Sequence, residues 1–163
     1  MALGIQIHSV DNNAAVPWEY YPLSEADAGT KVYVGKALSL LRGEVGSGIT
    51  VESELYLSAV NQDFTGEEWE HEEGPLIAVV HVRDDMVLEG YALDAAGPEI
   101  KLGDRAMIGV LSDCCYFMEG GGGVAPWPYE VVGIITDCEP ALIKIDDYTI
   151  FPLTKKVLVR LVK

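Results

Sequence analysis

The chain has 163 residues, of which 26 are acidic and 11 basic, for a formal net charge of −15. A surface of that sign repels phosphate backbones and releases no counterions from them, which excludes nucleic acid as an expected direct partner. Hydrophobic residues make up 49% of the sequence, well above the level of acidic disordered chains, so the acidity is expected on the loops and solvent faces of one folded domain.

A domain of this length buries roughly 70% of the surface its unfolded chain exposes and holds a core without staples. Cys114, Cys115 and Cys138 are odd in number. Two of them are adjacent and point to opposite faces of a strand, so no disulfide framework is expected and a reducing compartment is the simpler reading. No stretch approaches the ~20 apolar residues of a membrane helix, and Met1 to His8 lacks a basic segment followed by an apolar run. A soluble, unprocessed chain with no membrane partner is expected.

Residues 1–30 read as an extended N-terminal arm. Gly4 to Val10 has the length of one short strand, and Val16 to Pro22 then places Trp18, Tyr20 and Tyr21 between two prolines. Proline donates no ladder bond, which argues against a mid-sheet position. The three aromatics either cover the end of this protein's own fold or dock on a neighbour, since aromatic anchors dominate interfaces.

Residues 31–163 read as an all-β domain, a barrel or sandwich of about eight or nine short antiparallel strands joined by long loops. Val32 to Leu41 brings an alternating apolar run into a glycine and out into Ala-Leu. Glu99 to Val110 does the same through Gly103-Asp104, which predicts a loosely repeated unit. Gly43 to Gly48 is turn material, with no Gly-Lys-Ser/Thr ending to hold a phosphate.

Asn61 to Gly74 gathers five glutamates, His71 and Trp69. Carboxylates suit calcium and imidazole suits zinc, yet neither the calcium-loop spacing nor a His-x-x-x-His pair is present. The segment reads as a solvated loop or an interface loop. Pro75 to Val82 is a strand buried on both faces, with His81 near its end. His81, Asp84 or Asp85 and Ser112 supply the residue types of an acyl-transfer triad, but no Gly-x-Ser-x-Gly elbow accompanies them, and His81 reads as a strand histidine.

Met86 to Leu93 is a further strand, and Leu111 to Met118 leads to four glycines at 120–123. Acidic neighbours give Cys114 and Cys115 no route to a thiolate. Pro126-Trp127-Pro128-Tyr129 is a second proline-bracketed aromatic tip, expected on the same edge as the first. Strands follow at Val131 to Thr136, Ala141 to Ile145 and Tyr148 to Phe151. The closing strand, Lys155 to Lys163, carries four of the 11 basic residues and no acid.

The order of these pieces resembles small β-rich head or decoration proteins of tailed bacteriophages and prophages. The resemblance rests on Tyr20-Tyr21-Pro22-Leu23, the Lys31 to Leu38 segment, the apolar run from Pro75, Asp85 to Gly90, Ile100 to Asp104, Val131 to Ile134 and the terminal Lys-Val-Leu-Val-Arg-Leu strand. It implies a non-enzymatic virion component on the capsid surface, present in the host cytoplasm before assembly. The implied partners are the major capsid protein and sister subunits in a homotrimer.

The residues independently assign no catalytic group, no cofactor and no metal. The expected interface anchors are Trp18, Tyr20, Tyr21, Trp69, Trp127 and Tyr129. One rival reading is a metal- or small-ligand-binding barrel using His71 or His81 with nearby carboxylates. Another is an adaptor that assembles only with itself.

Overall fold

The computed structural model describes residues 3–64, 74–94, 97–120 and 126–162. Among them are fifteen strands and two single 3-10 turns, Asp11–Asn13 and Glu25–Asp27. After β1 (Gln6–Val10), a first group comprises β2 (Glu19–Pro22), β3 (Lys31–Val32), β4 (Ala37–Leu41), β5 (Glu44–Gly46), β6 (Leu55–Ser58), β7 (Gln62–Asp63) and β8 (Leu76–His81). The second group comprises β9 (Met86–Tyr91), β10 (Arg105–Val110), β11 (Cys115–Glu119), β12 (Tyr129–Ile135), β13 (Ala141–Lys144), β14 (Ile150–Leu153) and β15 (Lys156–Leu161).

The fold is all-β. One sheet runs β2-β8-β6-β4-β5, a second runs β1-β9-β15-β12-β10-β11, and β3-β7 and β13-β14 form two-stranded ribbons. The strand count exceeds the eight or nine expected because two- and three-residue pieces such as β3, β5 and β7 are too short for alternation to register. The first thirty residues also depart from an extended arm: β1 pairs with β9 in one sheet and β2 with β8 in the other. Pro22 is accommodated because β2 is an edge strand, where a missing N–H costs no ladder bond.

The two groups repeat one topology. Taking the strands in chain order and leaving the ribbons aside, β2, β4, β5, β6 and β8 occupy the same sheet positions as β9, β10, β11, β12 and β15. Loop hydrogen bonds recur position for position. Gly35 donates its N–H to the Ser58 carbonyl at 2.8 Å and Gly103 to Val131 at 2.9 Å; Ser58 returns a bond to Lys36 at 3.0 Å and Val131 to Asp104 at 2.9 Å. Leu23 donates to Pro75 and Ala92 to Lys155, both at 2.9 Å, while Ser24 donates to Val45 at 2.8 Å and Leu93 to Phe117 at 2.9 Å.

Both glycines of the sequence echo have left-handed backbones, φ 82° at Gly35 and 87° at Gly103. That conformation is open to glycine at no steric cost, and it turns the chain into β4 in one half and β10 in the other. Val32 and Ile100, three residues earlier in each half, are fully buried, and Val34 and Leu102, one residue earlier, are exposed.

Each sheet curls until its last strand, β5 or β11, returns to the end of the first strand of its half, β2 or β9, through single parallel bridges at Leu23–Val45 and Ala92–Phe117. One bridge is not a ladder, so neither sheet closes into a barrel, and the architecture is a sandwich of two curled sheets. The inner face of the second sheet (Ala106, Ile108, Tyr129, Val131, Val157, Val159) packs against the outer face of the first (Ala37, Leu55, Leu57, Val80, Val82) in the main core. The inner face of the first sheet is filled by its own connections, Leu23, Val32 and Phe64, over Leu38, Tyr56, Ile77 and Val79. A third cluster seats the β13-β14 ribbon, with Ile143 and Leu153 against Leu93 and Cys114.

Pairing fixes which residues of the two halves correspond. Tyr56 lies opposite Leu38 and His81, and Tyr129 opposite Ala106 and Leu161. On the other face, Leu57 lies between Ala37 and Val80, where the second half has Glu130 between Arg105 and Arg160. The first half thus turns an apolar outer face into the core, and the second turns a charged one to solvent, which ends the stack of sheets.

Candidate interaction surface

Strand β2 presents the first aromatic tip. Its register with β8 sets Tyr20 opposite Ala78 and Pro22 opposite Leu76, all on the outer face of the first sheet. Trp18 is 60% exposed, Tyr20 61% and Leu76 64%. Trp18 borders a hollow of about 290 Å³ whose other walls include Ile7, Val34, Leu57 and Val80. Three large side chains are thus left in water, and one of them, Trp18, lies beside an apolar recess.

Tyr21 behaves differently because neighbouring strand residues face opposite ways. Its ring meets Tyr56 edge-on at 5.7 Å and its hydroxyl donates to Glu19 Oε2 at 3.4 Å, so it supports the first sheet's inner face. Of the three aromatics expected in the first tip, Trp18 and Tyr20 are available and Tyr21 is half-buried.

The second tip is not a free surface. Trp127 packs against the main core and its carbonyl accepts from Arg105 Nη1 at 3.3 Å. Tyr129 is 3% exposed and burial pushes its phenol up to about 12. Sequence reasoning grouped it with the exposed aromatics through its neighbouring proline, but Tyr129 is the first residue of β12 and its side chain faces the inner side. Nor do the tips share an edge: Trp18 lies beside β1 and Trp127 leads into β12, with β9 and β15 between them in the sheet. Trp69 and His71 lie outside the described residues.

The residues of the enzymatic alternatives are dispersed. His81 stacks on Tyr56 with ring centroids 4.5 Å apart and planes 14° apart, and it lines a hollow of about 460 Å³ with Glu54, Arg83, Asp84 and Tyr129. Ser112 lines different hollows, beside Lys31 and Asp113. Among the described residues no group of three or more His, Cys, Asp or Glu is placed to hold a metal ion. The three thiols are free. Burial, with Cys115 and Asp113 adding to it, pushes the Cys114 thiol up to about 12, and burial also raises that of Cys115.

Two buried lysines escaped sequence reasoning. Lys36 donates from Nζ to the Lys31 carbonyl at 2.8 Å, and burial lowers its pKa against the raising influence of Asp27. Asp27 is held by the Ser47 N–H at 3.1 Å and by its hydroxyl at 2.6 Å. Lys155 donates to the Ile100 carbonyl at 2.7 Å and pairs with Asp94 at 2.7 Å. Each lysine clamps the connection that carries the chain from the first to the second strand of its half. A lone base in an acidic chain carries no sequence mark of burial.

Comparison of the chain with protein-family models, with curated proteins and with solved structures gave no match.

Proposed function

We propose that the protein is a non-enzymatic virion component that docks on the outside of an assembled phage capsid through the edge formed by Trp18, Tyr20 and Leu76. Its partners are the major capsid protein and sister subunits in a trimer, and before assembly it resides in the host cytoplasm. The observation that carries the reading is the exposure of Trp18 and Tyr20 along one sheet edge, with Leu76 on the neighbouring strand and an apolar recess beside Trp18. The burial of Cys114 and Cys115 and the separation of His81 from Ser112 support a role without chemistry.

Co-sedimentation with capsid shells of the encoding phage or prophage tests it. The wild-type chain pellets with shells, and Trp18→Ala and Tyr20→Ala each weaken binding by about tenfold, the loss of one aromatic anchor. A wild-type chain that stays in the supernatant overturns the reading. Sedimentation velocity without shells tests the trimer, and a monomer at high concentration removes it.

A second reading, small-ligand binding beside His81, is favoured by one observation: Arg83, whose Nε pairs with Asp85 at 3.2 Å, keeps a buried Nη2 with no hydrogen-bond partner among the described residues, and it lines the same hollow. An uncompensated guanidinium N–H attracts a small anion. Titration with phosphate, acetate and citrate while following the His81 ring protons by NMR checks it. Unmoved resonances at millimolar anion dismiss it.

A further inference from the structure

The repeated topology exposes a difference at one strand edge. In the second half, the outer edge of the first strand, β9, is covered: β1 pairs with it antiparallel, Ser9 opposite Val87 and Gln6 opposite Glu89. His8 on that added strand also reaches Glu89 at 3.2 Å. In the first half, the corresponding strand is β2, and β8 is its only ladder neighbour among the described residues. The shared loop bonds at Leu23 and Ala92 fix the correspondence, so Trp18 stands where Val87 stands and Tyr20 where Glu89 stands.

The backbone of β2 is oriented to receive a strand. Leu23 donates its N–H to Pro75 on the β8 side, and antiparallel bonding alternates, so Tyr21 and Glu19 also turn to β8. Trp18 and Tyr20 therefore turn their N–H and C=O groups away from the sheet. Their side chains share the outer face with Leu57 and Val80, Trp18 borders the hollow, and Glu19 points to the other face.

We propose that β2 accepts an extended strand from a partner protein, added antiparallel along Trp18 to Tyr20 as β1 is added to β9, and that this strand alternates aliphatic with basic residues. The aliphatic side chains enter the hollow beside Trp18 and the basic ones lie on the side of Glu19. The sign follows from charge: residues 1–30 contain four acids and no lysine or arginine, in a chain of net charge −15. A second copy is disfavoured as occupant because it brings the same charge. Two β2 strands paired about Tyr20 would also set Trp18 against Pro22, which has no N–H to give. This inference rests on the docking reading and names where and how the partner engages.

The probe is a capped peptide Lys-Val-Lys-Val-Lys-Val-Lys, with a Glu-for-Lys counterpart as control. Amide hydrogen exchange of the full chain with saturating Lys-Val peptide is expected to slow about tenfold or more at Trp18 and Tyr20, the outward amides, and to leave the rest of the chain unchanged. The Glu-Val peptide is expected to bind at least about tenfold more weakly. Tyr20→Pro deletes an outward N–H and no β8 bond, so it is expected to cost about tenfold or more in peptide affinity, against about threefold for Tyr20→Ala, which keeps the backbone donor.

Equal losses from the two variants, or protection confined to other strands, overturn strand addition, and the exchange measurement on the wild-type chain stands even where Tyr20→Pro misfolds. A dimer in sedimentation velocity that Tyr20→Pro dissolves assigns the edge to a second copy and overturns the basic partner. The two proposals fail separately. Peptide binding without capsid co-sedimentation defeats the capsid reading alone, and capsid co-sedimentation weakened equally by Tyr20→Pro and Tyr20→Ala defeats strand addition alone.

Discussion

The two halves of the molecule share a strand order, a left-handed glycine and four pairs of loop hydrogen bonds, yet they place opposite chemistry on equivalent faces. Leu57 in the first half corresponds to Glu130 in the second, Ala37 to Arg105 and Val80 to Arg160. The backbone pattern therefore does not decide which face is buried. Side-chain type does, by choosing which sheet stacks into which and where the stack stops.

Exchanging side chains between equivalent sites breaks that comparison most severely. Leu57→Glu gives the first half the residue its counterpart carries, but it places a carboxylate in the main core with no cation opposite, at a cost of about 4 kcal/mol or more. Chemical denaturation is expected to find the chain largely unfolded. The reverse change, Glu130→Leu, alters a half-buried position on the solvent face and is expected to shift stability by less than about 1 kcal/mol. Equal effects would mean that the two outer faces are not distinguished by packing.

The next contrast sets Gly35 against Gly103. An added Cβ forces an L side chain into the left-handed region at both, costing about 1–2 kcal/mol. At Gly103 it meets open space, whereas at Gly35 it overlaps the carbonyl of Ile5, the residue before β1, whose N–H donates to the Gly35 carbonyl. Gly103→Ala is therefore expected to cost about 1–2 kcal/mol, and Gly35→Ala roughly a further 1–3 kcal/mol for overpacking against backbone. Thermal unfolding of the two variants side by side measures the difference.

These same residues mark what was legible in the sequence. The all-β class, the turn at Gly103-Asp104 and its echo at Gly35 were readable because a glycine preceded by alternating apolar residues has few other uses. The full repeat was not, because the two halves keep their pattern of bonds and not their side chains: nothing in Leu57 and Glu130 marks them as equivalent. Proline misdirected the reading twice. At Pro22 it concealed an edge strand inside a supposed arm, and at Pro128 it made Tyr129 resemble a loop residue although it begins β12. Of the candidate surface, composition supplied Trp18 and Tyr20. Leu76 was hidden, since only its register with Pro22 brings it to the same edge.

Tyr129 sharpens the comparison through pH. Its phenol is raised by burial to about 12 in the folded chain, against 10.0 ordinarily. A group that holds its proton more tightly when folded stabilises the fold fully below the unfolded value, and that contribution is lost as pH rises from 10 to 12. Burial raises Tyr33 and Tyr56 in the same direction, so stability is expected to fall across this window, and Tyr129→Phe to flatten part of the fall. Urea midpoints measured at about pH 9, about pH 10 and about pH 11 give the slope for each chain. An unchanged slope in Tyr129→Phe would mean that the phenol is already hydrated when folded.

The smallest effect on stability is expected at Trp18, and its smallness is the informative part. A tryptophan held in a core costs about 3–5 kcal/mol when truncated, because the transfer energy of its rings and the cavity left behind both count. Trp18 is 60% exposed, so truncation removes little burial and leaves no closed cavity. Trp18→Ala is expected to stay within about 0.5 kcal/mol of the wild-type chain in urea unfolding. The same variant is expected to weaken capsid binding by about tenfold, so its two effects point in different directions from those of Tyr129→Ala, which is expected to lose about 3–5 kcal/mol of stability first. A Trp18→Ala chain that unfolds as readily as Tyr129→Ala would make the first tip a part of the core and leave the β2 edge without its anchor.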